Sequence, residues 1–151
     1  MPPVRWLLAA ALLAALTASA AEPARTEFLN SGKVLSGDLP FSEAVRHGDT
    51  LYLSGQIGIR PGTLALVSGG LRAEAEQALE NIRTILEAHG RSTSDLIKCT
   101  VMLADMADWP AFNEVYKGFL KRPYPARSAL GATGLALGAR VEVECIASAG
   151  P

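Results

Sequence analysis

Two stretches of this chain repeat their apolar residues at intervals of three and four, and each repeat covers one side only. In the first, Ala75, Ala78, Leu79, Ile82, Ile85 and Leu86 share a face, with Glu76, Glu80, Arg83 and Glu87 elsewhere on the wheel. In the second, Phe112, Val115, Tyr116, Phe119 and Leu120 form the stripe. Gly90 is a stop signal for the first helix, and His89 complements the negative end of its dipole. Asp108 is placed to cap the second helix, with Pro110 in its first turn. A helix with one apolar stripe can bury it against one neighbour only, which demands a sheet or another helix on that side.

The rest of the chain supplies strands. Ala44 to Arg46 and Thr50 to Ser54 flank His47-Gly48-Asp49, a hairpin signal, and Glu27-Phe28-Leu29 adds a short edge strand before it. Leu96 to Ala104 and Ala139 to Ala147 alternate, and Arg122-Pro123-Tyr124-Pro125 ends the second helix and forces an extended segment after it. The expected fold is α+β, a single sheet with both helices packed on one face. The other sheet face is left open, and its burial against further subunits predicts a homo-oligomer.

A mean hydropathy of +0.21 is high for such a fold, and it has a local source. Arg5 precedes an unbroken apolar run from Trp6 to Leu16, followed by Thr17-Ala18-Ser19-Ala20-Ala21. This is the three-part pattern of a secretory signal peptide cut near Ala20, which predicts a periplasmic or secreted protein with no membrane association after cleavage. The domain proper then spans 21–151 as one unit. Of 14 basic residues only Arg5 is lost, so 13 face 15 acidic ones, a balance that gives no electrostatic footprint for nucleic acid. Cys99, Cys145, His47 and His89 approach no metal-binding spacing. Alternation places Ile97, Cys99, Val101 and Leu103 on one strand face and Val141, Val143 and Cys145 on another, which favours two buried free thiols over a disulfide.

The residues that suggest chemistry are few. Arg127 follows a stiff Pro-x-Pro segment, and a guanidinium fork suits a carboxylate bidentately. Glu142 and Glu144 alternate with Val141, Val143 and Cys145, so they point away from the helices; desolvation at a subunit interface would raise their pKa toward that of a general base. Ser54-Gly55-Gln56 ends a strand and can bring a hydroxyl and a close backbone approach to a pocket rim. No phosphate loop, nucleophile elbow or dinucleotide fingerprint is present.

Taken together, Leu53-Ser54-Gly55-Gln56-Ile57, Gln77 to Ile82, Ile97 to Val101, Phe112-Asn113-Glu114-Val115-Tyr116, Pro125-Ala126-Arg127-Ser128 and Val141 to Ala147 resemble the reactive intermediate deaminase family, also called Rid, YjgF or L-PSP endoribonuclease-like. The resemblance implies a chorismate-mutase-like fold, a homotrimer with active sites in the clefts between subunits, and hydrolysis of 2-imino or enamine acids to 2-keto acids and ammonia without metal or cofactor. It implies that Arg127 clamps the substrate carboxylate and Glu142 deprotonates the attacking water, with Ser54, Gly55 and Asn113 lining the pocket. Phe41 stands where family members carry Tyr, and Ala129 where they commonly carry Cys; both are placed at the substrate. The alternatives are a non-catalytic trimer that binds small carboxylates and an endoribonuclease.

Overall fold

The computed structural model describes residues 23–150 apart from 36 and 38, so the expected signal peptide lies outside the described residues. Six strands and two long helices follow one another as β1 (Thr26–Leu29), β2 (Ala44–His47), β3 (Thr50–Ile57), α1 (Gly70–Ala88), β4 (Leu96–Leu103), α2 (Trp109–Phe119), β5 (Ala126–Gly131) and β6 (Val141–Ser148). They form one sheet in the order β1-β2-β3-β6-β4-β5. β3 and β4 are both antiparallel to β6, so they run parallel to each other and leave a gap that the last strand fills. Among the described residues β4 and β5 make the one parallel pair, joined through α2.

Why the helices lie on one face follows from the alternation of β6. Val141, Val143, Cys145 and Ala147 are buried, while Glu142 and Glu144 occupy the other face. Against the buried set pack Leu79, Ile82, Ile85 and Leu86 of α1 and Phe112, Val115 and Tyr116 of α2, closing one core between sheet and helices. α1 runs well beyond its predicted stripe and ends at Gly90, whose φ of 71° an L side chain would resist. Asn81, fully buried in that helix, donates to the carbonyls of Ile57 at 3.1 Å and Ile59 at 3.0 Å, tying the helix to the end of β3 and the backbone just beyond it.

Four expectations are corrected. The segment after Pro125 is a sheet strand, β5, paired with β4; its Ala, Ser and Gly residues lack the β-branched signal that would have marked it. Cys99 and Cys145 form a disulfide, because the antiparallel register sets them directly opposite with Cα atoms 4.1 Å apart, in the closer class of cross-strand pairs. Ile97 is 51% exposed instead of sharing the face of Cys99, since a register irregularity between Leu96 and Lys98 turns Leu96 inward in its place. Asp108 does stand at the N-cap of α2, but its side chain caps nothing; Asp105 instead accepts from the Ala107 N–H at 2.8 Å in the short turn before the helix.

Candidate active site

β5 carries Arg127 and Ala129 opposite Cys99 and Val101, which puts both side chains on the helix side of the sheet. There α2 meets Arg127 with three residues spaced four and three apart, Trp109, Asn113 and Tyr116. The guanidinium carbon lies 4.5 Å from the ring centroids of Trp109 and of Tyr116, and an Nη donates to Asn113 Oδ1 at 2.9 Å. Two cation–π contacts, each worth about 0.5–2 kcal/mol, hold the fork against the two rings. Its edges remain, and of five N–H donors one is committed to Asn113. A cavity of about 220 Å³ opens beside it, bordered by Asn113, Tyr116, Tyr124 and Arg127 among others. Ala129, two residues on, packs against the core.

Sequence reasoning placed Arg127 and Asn113 at the site but missed the aromatic box. Tyr116 lay in the apolar stripe of α2 and reads there as core. The signal that could have found it is the 109, 113, 116 spacing, which aims an aromatic, an amide and a phenol along one line.

The other candidate residues gather on the open face. Ser54 and Gly55 sit in an irregularity of β3, between Leu53 opposite Cys145 and Gln56 opposite Val143. Glu142 lies against this bulge, and a Cβ at Gly55 would overlap its carboxylate, so only glycine permits the approach. Ser54 Oγ donates to the carbonyl of Ser42 at 2.7 Å, pinning the turn that presents Phe41. Phe41 is exposed on the rim of a second cavity of about 330 Å³, which Glu43 also lines. Glu43 is buried and binds the Ser31 N–H at 2.9 Å and His89 Nε2 at 3.0 Å, so the imidazole at the end of α1 is engaged by a carboxylate as well as by its helix.

Burial raises the Glu142 carboxyl above its ordinary range, and the neighbouring Glu144 charge adds to the rise. The sequence expected this shift from a subunit interface; the Gly55 bulge already supplies part of it within one chain.

Arg127 shares a face with Cys99, and Glu142 pairs with Met102 on the opposite face. The structure therefore brings together Arg127 with Asn113, and Glu142 with Gly55 and Ser54, but it leaves the two groups on opposite sides of the sheet. A cavity of about 700 Å³ between α1 and α2 is lined by none of these residues and is bordered by charges of both signs, including Arg72, Glu76 and Glu80. Among the described residues no group of three or more His, Cys, Asp or Glu side chains could hold a metal ion.

Fold and site together define a small single-sheet α+β protein with an arginine set among aromatic rings beside a cavity at one sheet edge and a half-buried carboxylate on the open face. The Endoribonuclease L-PSP family model matches residues 33–149, and the chain belongs to that family. The human 2-iminobutanoate/2-iminopropanoate deaminase is 46% identical over 112 residues, 74% of this chain and 82% of that protein. The protein of the same name from Dermatophagoides farinae is 45% identical over 107 residues, 71% of this chain and 84% of its own. Among solved structures, RidA from the Antarctic bacterium Psychrobacter sp. PAMC 21119 superposes with a TM-score of 0.76 at 40% identity, covering 81% of this chain and 98% of that one.

Proposed function

We propose that this protein is a hydrolytic deaminase that converts 2-imino or enamine acids into 2-keto acids and ammonia. The observation that carries the proposal is the Arg127 guanidinium, held against the Trp109 and Tyr116 rings, bonded to Asn113 and bordering a cavity. Such a fork binds a carboxylate at small entropic cost. The names of the relatives support the same substrate class.

An imine carbon is already electrophilic, so the protein needs chiefly to orient it and supply a base. Arg127 takes the carboxylate. With the imine bound as its iminium, Glu142 accepts a proton from water as the oxygen adds to the C=N carbon and the π pair moves to nitrogen. Glu142 then passes that proton to the carbinolamine nitrogen and takes the hydroxyl proton as the C–N bond breaks, so that the keto acid forms and ammonia leaves as ammonium with the last proton. Because the two residues occupy opposite sheet faces, a functional cleft pairs Arg127 of one subunit with Glu142 of another, which favours the homotrimer over a lone chain. The Trp6 to Leu16 run supports export to the periplasm or beyond.

The test is ammonia release from imines made in situ by an amino-acid oxidase. Arg127→Ala is expected to lower kcat/KM about 100-fold or more, since charge-assisted bonds are worth roughly 1.5–3 kcal/mol each. Glu142→Gln should lower kcat by about 100-fold or more. An unchanged rate in the arginine variant rejects the clamp; calorimetric binding of small carboxylates without any turnover would make the protein a binding module instead.

A further inference from the structure

We propose that the cavity beside Arg127 holds the second carboxylate of a dicarboxylic substrate, so that the site favours 2-imino dicarboxylic acids over simple aliphatic ones. The inference rests on the deaminase reading and specifies its substrate class. The lining of the cavity includes Asn113, Tyr116, Lys117, Arg122, Tyr124 and Arg127, with three cations and no carboxylate. Lys117 is neutralised by Glu114 at 2.9 Å. Arg122 and Arg127 have no salt-bridge partner among the described residues, so within one chain the cavity is bordered by two unpaired guanidinium groups.

Arg122 is held in place by the Tyr124 ring, 5.1 Å from its centroid, and Tyr124 in turn lies 6.2 Å from Tyr116. The two guanidiniums thus border one space across an aromatic wall. One carboxylate satisfies Arg127; a second negative group answers Arg122. The hydroxyl of Tyr116 adds an independent sign. It is buried and has no hydrogen-bond partner among the described residues, and the residue that carries it lines this cavity. A buried phenol without a partner costs stability, which a ligand oxygen would restore. A volume of about 220 Å³ is enough for a small acid.

The experiment compares 2-iminosuccinate, made from D-aspartate, with 2-iminopropanoate, made from D-alanine, on the wild type and Arg122→Gln. The wild type is expected to show kcat/KM about tenfold higher for 2-iminosuccinate. Arg122→Gln should erase that preference, mostly through KM, and Arg122→Lys should keep part of it. Equal kcat/KM for both imines in the wild type, or an equal loss on both in the variant, overturns the proposal. Calorimetry separates this failure from that of the deaminase reading: 2-oxoglutarate should bind about tenfold more tightly than 2-oxobutanoate, and only while Arg122 is present. Tight 2-oxoglutarate binding with neither imine turned over would sink the deaminase reading and leave the pocket standing; equal affinities would sink the pocket.

Discussion

Asn81 ties helix to sheet, because its amide donates to the carbonyls of Ile57 at the end of β3 and Ile59 just beyond it. Asn81→Ala is expected to cost about 1–3 kcal/mol in urea unfolding, since the Ile59 carbonyl loses this donor while the Ile57 carbonyl keeps the Ile59 N–H at 2.8 Å. Glu142 carries a dependence on pH of the opposite kind. Its carboxyl is raised in the folded chain, so the native state holds this proton more tightly than the unfolded state does. The stabilisation it gives is present at low pH and is lost as pH rises through the raised value. Glu142→Gln should therefore be more stable than wild type at neutral pH, and the difference should vanish in acid. Activity moves the other way, since a base works ionised: kcat/KM should rise with pH through that same raised value, and a flat profile in the variant would confirm the assignment. Arg127 and Glu142 were both legible from residue type and neighbours. Trp109 and Tyr116 were not, because an aromatic on a helix stripe looks the same whether it packs against leucine or guanidinium.

At the level of elements, β6 decides the architecture by entering between β3 and β4, and the Cys99–Cys145 bond fastens it to β4. The bond closes 46 residues of sequence separation, enough to restrict the unfolded chain by about 4 kcal/mol on the loop-entropy account. Replacing both cysteines by Ala should lower the unfolding free energy by about 2–4 kcal/mol, and adding reductant to the wild type during unfolding should reproduce most of that loss. Helices were the most legible elements, since a stripe repeated over several turns matches the helical period and no strand period. Strand existence was legible where apolar residues alternate, as in β4 and β6. Register was not: the facing of Cys99 on Cys145 and the outward turn of Ile97 depend on which residues of two strands lie opposite, and a one-residue slip reverses every face. β5 escaped because a parallel edge strand of small residues draws its stability from its neighbour and from Arg127 beneath α2.

The open sheet face carries exposed apolar residues that no helix covers. Phe28, Val45, Tyr52 and Ile146 stand in one row across four adjacent strands, with Phe28 72% and Tyr52 47% exposed. A contiguous apolar row on a sheet marks an interface. Light scattering is expected to give three times the chain mass, and Tyr52→Glu should yield smaller species with little activity, because the clefts would be lost with the assembly. The two-sided placement of Arg127 and Glu142 has a genetic reading. If each cleft draws one of them from either of two neighbours, two individually dead proteins can rescue each other. Co-refolding Arg127→Ala with Glu142→Gln should restore about a quarter of the clefts by random assortment of subunits. Two mutant alleles in one cell would then complement, although neither encodes a working enzyme.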